Sequence, residues 1–236
     1  MSTSRNSTEP SPARWRSIIA RSVASLLVLV LLLFVPAGSL SWTRGWLFLL
    51  VLVTVIGVSA LYLWRINPEI FAARSRIHPG TKRWDRILLG FLFPALIAIV
   101  PVGALDDGRF HWSRMSWWFV ALGYLLLMTG TAITAWAQAV NRFFEPGVRI
   151  QTERGHHVVD TGPYAIVRHP GYFAACLLFS GIALALGSWW ALIPAGFAAL
   201  LILIRTEWED RTLHAELDGY AAYARRVPFR LIPGVW

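Results

Sequence analysis

The sequence predicts an all-α protein that crosses a membrane several times, and three observations support that fold class. Of the 236 residues, 56% are hydrophobic and only 15% are charged, whereas about a quarter of the residues in a soluble domain are charged. The apolar residues form blocks long enough to span a bilayer as helices, which takes about 17 to 25 residues. Many of the 13 tryptophans lie at the ends of these blocks, where indole rings prefer the membrane interface.

We predict six membrane-spanning helices, of which the last two are short. The predicted spans cover residues 18–35, 45–64, 87–105, 117–140, 172–186 and 189–204. Only Gly187 and Ser188 separate the last pair, so we expect a tight or tilted helical hairpin there. The predicted regions are a disordered tail (1–16), four transmembrane helices (17–140) and a C-terminal region (141–236) with the last two helices and an amphipathic end.

The basic residues predict the orientation of the helices. All of the 22 Lys and Arg residues except Arg44, Arg109 and Arg114 lie in the tail, in alternate loops or at the C-terminus. Because loops rich in Lys and Arg stay on the cytoplasmic side, we predict that both termini are cytoplasmic. The net charge of +9 does not indicate nucleic acid binding, because the basic residues lie between apolar blocks rather than along one surface stripe.

Several common functional motifs are missing from the sequence. No Gly-x-Gly pair occurs among the 18 glycines, which excludes the dinucleotide-binding and P-loop fingerprints. There is no HExxH or CxxC motif, and the single cysteine, Cys176, excludes a cysteine metal cluster. His156 and His157 are adjacent, so their side chains point in different directions, and no set of carboxylates accompanies them. We therefore predict no metal site.

Two polar segments flank the predicted hairpin and carry the candidate chemistry. The first is "RIQTERGHHVVDTGPYAIVRHPGY", residues 149–172, and the second is "RTEWEDRTLHAELDGYAAYARRVPFRLIPGVW", residues 205–236. A short turn makes two helices antiparallel neighbours. We therefore expect the two segments to meet at one face of the membrane.

Within these segments, two helix faces have chemically useful residues. Pro170 suits the first helical position, which places His169 at the N-cap and Tyr172 on the same face. A helix N-terminus at this point favours an anionic group, although both side chains could simply anchor the helix. Arg205 and Glu209 are four residues apart on the other helix. They could form an intrahelical ion pair worth about 0.2–0.5 kcal/mol, or Arg205 could extend to the membrane surface.

The chain ends in a predicted amphipathic helix. Its apolar residues recur at helical spacing, namely Leu217, Tyr220, Tyr223 and Val227. Arg225 and Arg226 lie on the other side. We expect the apolar face to pack on the protein and the basic face to contact the headgroups of membrane lipids.

At these two segments the sequence resembles the isoprenylcysteine carboxyl methyltransferase family of integral membrane enzymes. The resemblance covers roughly the last 90 residues and rests on "GHHVVDTGPYAIVRHPGY", "RTEWED" and "GYAAYARRVPFRLIP". It implies an S-adenosylmethionine cofactor held between the C-terminal segments and the membrane surface. It also implies a lipophilic acceptor that enters from the bilayer.

The resemblance also implies the roles of individual residues. Those implied at the cofactor are Gln151, His156, His157, Val158, Val159, Tyr164, His169, Pro170, Gly171, Tyr172 and Glu209. Glu209 would neutralise the ammonium of the cofactor, and His169 with its helix N-terminus would accept the carboxylate. Arg205 is implied at the acceptor, where its planar guanidinium would orient a carboxylate through two hydrogen bonds. A carboxylate acceptor is already nucleophilic at neutral pH and needs no general base.

The sequence therefore predicts a membrane-embedded methyltransferase of the carboxyl O-methyltransferase type, with an isoprenylcysteine carboxylate as its acceptor. A phospholipid-amine methyltransferase is an alternative, because a lipid-facing entrance suits either acceptor. An NADPH-dependent membrane sterol or enone reductase is another, since such enzymes share a similar C-terminal ending. A non-catalytic transporter or scaffold is the last, although transporters place their sites near mid-bilayer rather than at one face.

Overall fold

The computed structural model describes the backbone of Pro12–Trp236 and the side chains from Ala20 onward. In that part of the chain all regular structure is helical, which confirms the all-α fold class. The helices are α1 (Pro12–Ala37), α2 (Thr43–Ile66), α3 (Ile70–Ala73), α4 (Arg83–Gly103) continued by a π-helical segment (Ala104–Phe110), α5 (Trp117–Val140), α6 (Pro170–Ala185), α7 (Leu192–Glu216) and α8 (Tyr220–Arg226). Two short 3-10 turns, Thr152–Arg154 and Gly162–Ala165, interrupt the loop between α5 and α6.

Four helices are long and apolar enough to cross a membrane. They are Ala20–Ala37 within α1, the whole of α2, Arg83–Phe110 and the whole of α5. Helix α6 is apolar but has only 16 residues, and α7 changes from an apolar first half to a charged second half. Four of the six predicted spans are thus helices of spanning length, while crossings by α6 and α7 stay predictions.

Several predicted boundaries need correction. Of the predicted tail of residues 1–16, the part up to Ser11 lies outside the described residues. The rest is helical, because α1 begins at Pro12. The third span begins at Arg83 rather than Ile87 and continues beyond Leu105 through the π-helical segment to Phe110. Apolar composition marks the lipid-facing length of a helix, but polar residues can extend the same helix at both ends.

The link between α6 and α7 is longer than the predicted turn of Gly187 and Ser188. It covers residues 186–191, so Trp189 and Trp190, the first two residues of the predicted span 189–204, lie in the link instead. Gly187 has a φ of +79°, a conformation that favours glycine. The hydroxyl of Ser188 accepts a hydrogen bond of 2.9 Å from the backbone N–H of Ala191, which stabilises the turn that leads into α7 at Leu192.

Helices α5 and α6 pack very closely through glycine. A Cβ atom at Gly123 would lie 2.3 Å from the backbone nitrogen of Ala185, and one at Gly181 would lie 2.6 Å from that of Leu127. Small residues are typical of contacts between membrane helices, because they let the backbones approach. This contact fixes where α6 begins relative to the end of α5.

The bundle is completed by a buried cluster that joins α4, α6 and α7. Its fully buried members include Ile99, Ala183 and Ala198. The start of α4, the end of α5, the start of α6 and the end of α7 therefore share one end of the bundle, which we call the pocket end. The opposite end contains the link between α6 and α7, and we call it the hairpin end.

The C-terminal segment packs against the pocket end. The four residues predicted as its apolar face, Leu217, Tyr220, Tyr223 and Val227, lie together in one buried cluster. The backbone N–H groups of Arg168 and His169 donate to the carbonyls of Phe229 and Arg230, at 3.0 and 2.9 Å. The two polar segments are thus in direct contact, as the sequence predicts, through the backbone as well as through side chains.

Candidate active site

A cavity of about 470 Å³ opens at the pocket end of the bundle. Its volume is within the range of small-molecule sites, about 300 to 1,000 Å³. The lining contains eleven of the twelve predicted site residues, namely Gln151, His156, His157, Val158, Val159, Tyr164, His169, Gly171, Tyr172, Arg205 and Glu209. Pro170 is the exception, since it is buried at the first position of α6.

The cavity has a polar part and an apolar part. The polar part comes from the loop between α5 and α6 and from the charged half of α7. The apolar part lies among α4, α6 and α7 and is formed by Leu89, Leu92, Phe93, Leu96, Ala175, Leu178, Phe179 and Ile202. A ligand with a polar head and an apolar tail matches this division.

Arg205 is buried and its guanidinium is held by Asp85 in a bidentate ion pair. Its Nε lies 2.6 Å from Asp85 Oδ1 and its Nη2 lies 3.0 Å from Asp85 Oδ2. The predicted alternative of an ion pair with Glu209 is therefore wrong, because a fully buried carboxylate from α4 takes that place. The fork expected to orient an acceptor carboxylate is already occupied. Only Nη1 of Arg205 makes no hydrogen bond to a described residue.

The same ion pair positions the loop that begins the first polar segment. Asp85 Oδ2 accepts a hydrogen bond of 2.7 Å from the backbone N–H of Val148. Arg205 Nη2 donates to the carbonyl of Pro146 at 2.5 Å. The backbone N–H of Lys82 donates to the carbonyl of Val148 at 2.9 Å. Asp85 and Arg205 thus join α4, α7 and this loop at the floor of the site.

Glu209 faces the cavity without an ionic partner among the described residues. The hydroxyl of Tyr172 donates a short hydrogen bond to Glu209 Oε2. The guanidinium carbon of Arg205 lies 5.3 Å from the centre of the Tyr172 ring. Glu209 is only partly buried. A partly exposed carboxylate that is held by a tyrosine and left without a cation can bind a positively charged ligand group.

His169 has more protein partners than the sequence suggests. It stands at the N-cap of α6, and its ring stacks on Tyr172 with 5.6 Å between ring centres. Its Nε2 lies 3.2 Å from Asp210 Oδ1 and 3.5 Å from the Tyr220 hydroxyl. The side chain is therefore directed at the protein. Of the two groups predicted to accept the cofactor carboxylate, the helix N-terminus beside it is the less occupied.

Asp210 organises the contact between the two polar segments. It accepts hydrogen bonds from Arg168 Nε at 2.9 Å, from the Tyr220 hydroxyl at 2.7 Å and from Arg230 Nε at 2.9 Å. Burial alone would raise the pKa of Asp210, but the hydrogen bonds from His169 and Arg168 outweigh it and hold the pKa well below its usual range. Asp210 therefore stays ionised and fixes the segments relative to each other.

The loop residues divide into supporting and cavity-facing groups. Gln151 is 1% exposed, and its amide donates to the carbonyl of Phe143 and accepts from Arg154, each at 2.7 Å. It therefore supports the loop rather than offering a free amide. His156 accepts a hydrogen bond of 3.3 Å from the Gln151 backbone, whereas His157 is exposed. Burial, and then repulsion from His157, lowers the pKa of His156 to about 4.

Tyr164 forms a buried wall of the cavity beside Val158 and Val159. Its hydroxyl accepts a hydrogen bond of 3.0 Å from the Asn141 amide, and its carbonyl accepts one of 2.7 Å from the Tyr223 hydroxyl. Burial raises the pKa of Tyr164 above its ordinary value, so the phenol stays neutral. The wall is thus rigid, uncharged and suited to a flat apolar ring.

Three other cavity or support residues carry no sequence motif. Thr134 Oγ1 lines the cavity, is buried and has no hydrogen-bond partner among the described groups. Arg74 lines it from the segment between α2 and α4. Asp85 supports it from α4. In the sequence Asp85 is a single acid at the edge of an apolar block, which could have indicated a buried partner. Its basic neighbours Lys82 and Arg86 make it look like part of an ordinary charged loop.

The comparison with protein families agrees with this location. The phospholipid methyltransferase family model matches residues 118–217, from α5 to just beyond α7. The chain is similar to membrane methyltransferases. That family belongs to the same group of integral membrane methyltransferases as the isoprenylcysteine enzymes, and the narrower resemblance to the latter stays a prediction. A comparison with curated proteins found no significant match.

All twelve predicted site residues lie inside the matched range, whereas Arg74 and Asp85 lie outside it. The match covers less than half of the chain and supports a membrane methyltransferase. Among the described residues no group of three metal-ligating side chains is close enough to bind an ion.

Proposed function

We propose that the protein is an S-adenosylmethionine-dependent methyltransferase that methylates the amine headgroup of a phospholipid-type acceptor drawn from the bilayer. The observation that carries this proposal is the divided cavity, in which a polar part with an unpaired carboxylate continues into an apolar part among α4, α6 and α7. The two parts suit the two reactants, one water-soluble and one lipophilic.

The residues of the polar part match the chemistry of S-adenosylmethionine. Glu209 can bind the ammonium group through a charge-assisted hydrogen bond. Val158, Val159 and Tyr164 can enclose the adenine, and the partnerless hydroxyl of Thr134 is available to a polar ligand atom. The tyrosine faces also favour a nearby cation. When bound, the cofactor would supply a methyl carbon: the headgroup ammonium first loses a proton to water, the lone pair this frees bonds to the methyl carbon, and the carbon–sulfur electron pair stays on sulfur.

The protein contributes alignment above all. Methyl transfer requires the reacting atoms at about 3–3.5 Å and in line. Tyr172 holds Glu209 by its hydroxyl, and the close packing of α5 on α6 fixes the start of α6, which carries Tyr172. The site therefore rests on helices rather than on a loose loop.

The phospholipid amine is favoured over a carboxylate acceptor for two reasons. A carboxylate acceptor would need both donors of a bidentate Arg205, and that guanidinium is bound to Asp85. The matching family model is also one of phospholipid methyltransferases. An isoprenylcysteine carboxylate is a second candidate, because Arg205 Nη1 still offers one donor.

The test is to supply purified protein in lipid nanodiscs with methyl-labelled S-adenosylmethionine and either phosphatidylethanolamine or a prenylated cysteine. Mild alkali releases methanol from a methyl ester but leaves an N-methyl group in place. We expect alkali-stable label in the lipid. Alkali-labile label on the prenylcysteine alone would select the second candidate, and no label on either acceptor would reject methyl transfer to both.

A cofactor comparison addresses the reductase alternative. S-adenosylhomocysteine should raise the melting temperature of the purified protein, since a ligand that binds the folded state stabilises it. NADPH at the same concentration should not. Protection by NADPH alone would favour a reductase.

A further inference from the structure

The charged residues in the cavity lining are almost all paired with each other or with supporting residues. Four arginines line it, namely Arg74, Arg149, Arg168 and Arg205. Arg149 is paired with Glu145 and Glu153, Arg168 with Asp210, and Arg205 with Asp85. In the part of the chain that the structure describes, Arg74 has no carboxylate within ion-pair distance. Among the described residues it is therefore the one lining arginine without a carboxylate partner.

Arg74 is held in place without an ionic partner. Its backbone N–H donates to the carbonyl of Ile70 at 2.9 Å, which fixes it at the end of α3. Its guanidinium carbon lies 5.1 Å from the centre of the Phe144 ring. Phe144 in turn lies against the first turn of α6, where a Cβ atom at Gly171 would come within 2.7 Å of the ring. The guanidinium thus packs on the Phe144 ring, beside the start of α6.

The surroundings of Arg74 place it at the rim of the cavity, beside exposed apolar side chains. The residue as a whole is exposed, in contrast to the buried Tyr164 wall. Large apolar side chains nearby in the chain, Ile66, Phe71 and Ile77, are 44% to 58% exposed. A segment that presents apolar side chains around an arginine is typical of the headgroup region of a membrane.

The electrostatics of the rim favour an added anion. Arg74 is exposed as a whole residue, but its charged end is buried where it lines the cavity, and this burial, followed by repulsion from Arg205, lowers the pKa of Arg74. An anion bound here would relieve that repulsion. A guanidinium offers a planar pair of donors, which suits the two oxygens of a phosphate.

We infer that Arg74 binds the phosphodiester group of the lipid acceptor at the cavity rim and thereby positions the headgroup for methylation. This inference rests on the proposed function, because it concerns the acceptor of that reaction. The apolar part of the cavity would receive the lipid tail. The carboxylate of the cofactor is the competing anion, but it arrives from water, whereas Arg74 stands among exposed apolar side chains.

The experiment compares Arg74→Gln with Arg76→Gln, a matched control two residues away whose side chain is exposed and does not line the cavity. For phosphatidylethanolamine, Arg74→Gln should raise KM about tenfold to a hundredfold, as expected for the loss of a charge-assisted hydrogen bond. The affinity for S-adenosylhomocysteine, measured by calorimetry, should stay at the wild-type value. Arg74→Lys should recover part of the lost acceptor affinity.

A phosphate-free acceptor makes the assignment specific. With a long-chain primary amine, wild type and Arg74→Gln should have the same KM, because no phosphodiester is present. Equal KM values for phosphatidylethanolamine in wild type and Arg74→Gln would overturn the inference and leave the proposed function intact. A loss of S-adenosylhomocysteine affinity in Arg74→Gln would also overturn it, by assigning Arg74 to the cofactor carboxylate.

A binding measurement keeps the inference testable if the wild type methylates no acceptor. Short-chain phosphatidylethanolamine is then titrated into protein saturated with S-adenosylhomocysteine. Weaker binding to Arg74→Gln than to Arg76→Gln would support the anion site even though the proposed reaction had failed. Equal binding to both variants, or no binding to the wild type, would reject the site.

Discussion

The hairpin end and the pocket end of the bundle both bury ionisable side chains, but they treat them differently. At the hairpin end, Asp106 accepts hydrogen bonds from the backbone and hydroxyl of Ser113, at 2.7 and 2.5 Å, and from the hydroxyl of Ser188, at 2.5 Å. Asp107 next to it binds the Trp42 indole at 2.7 Å and the Arg44 guanidinium. Both carboxylates are satisfied within the protein.

At the pocket end, satisfied and unsatisfied groups lie side by side. Asp85 and Asp210 are as fully paired as the carboxylates of the hairpin end. Among the described residues, Arg74 and Glu209 have no ionic partner and the hydroxyl of Thr134 has no hydrogen bond, although all three line the cavity. Buried or enclosed polar groups are usually satisfied by the protein, and those that are not tend to mark functional sites. Paired carboxylates thus mark the residues that support the fold, whereas the groups without a protein partner mark those that we propose bind ligands.

The largest effect should come from breaking the buried ion pair at the pocket end. Asp85→Asn leaves the buried Arg205 guanidinium without a counter-charge, which typically costs about 3–5 kcal/mol of stability. The free energy of unfolding in detergent measures it. The control is Glu216→Gln, which removes an exposed ion pair with Lys82 and should cost no more than about 1 kcal/mol. Equal costs for the two variants would contradict the structural role of Asp85.

The hairpin end offers the matching test of a purely structural carboxylate. Asp106→Asn weakens three charge-assisted hydrogen bonds and should lower the free energy of unfolding by about 1.5–3 kcal/mol. The affinity for S-adenosylhomocysteine should not change, because Asp106 lies in the π-helical segment at the hairpin end, whereas the cavity lies at the pocket end. A variant that folds with normal stability but binds the cofactor product weakly would show that the two ends are coupled.

The helices were the more predictable part of the molecule. The span 117–140 coincides with α5, and 45–64 falls two residues short of α2 at each end. Membrane-spanning length and apolar composition are local properties, so the sequence carries them directly. The π-helical segment after Gly103 was not predicted, because its polar residues are compatible with helix or turn. The six-residue link after α6 was predicted too short, because Trp189 and Trp190 are apolar and match a membrane span as well as a link.

The site was predictable wherever its residues lie in the two polar segments. Eleven predicted residues line one cavity because a helical hairpin brings its two flanking segments together. The ion pair of Asp85 with Arg205 spans 120 positions, and nothing local to either residue indicates the other. Glu209 four residues after Arg205 was the nearer partner in sequence, yet burial favoured the carboxylate from α4. Arg74 was missed because its loop contains other arginines without a distinguishing pattern.

The third test concerns an unsatisfied residue of the pocket end. Glu209→Gln keeps the shape of the side chain and removes the charge proposed to face the cofactor ammonium. The affinity for S-adenosylmethionine should fall about tenfold to a hundredfold, as expected for a charge-assisted hydrogen bond. Stability should change little, since Glu209 has no ionic partner among the described residues. The control is again Glu216→Gln, and an equal loss of affinity there would mean that neither carboxylate contacts the cofactor.

The smallest effect concerns His156, which is partly buried in the loop of the pocket end. Burial, with repulsion from His157 and then Arg149, lowers the pKa of His156 to about 4 in the folded protein, against about 6.5 in an unfolded chain. As the pH falls below about 6.5, the unfolded state takes up a proton that the folded state does not. The free energy of unfolding is therefore highest above about pH 6.5 and decreases progressively as the pH falls toward 4.

Denaturation midpoints measured in detergent between pH 4.5 and 7.5 should consequently fall at the acidic end for the wild type. His156→Gln should flatten that dependence, because glutamine does not titrate. His157→Gln, in the same loop but exposed, should keep most of it. An unchanged slope in His156→Gln would place the acid sensitivity elsewhere. The loop that contains His156 would then not be the source of the loss of stability in acid.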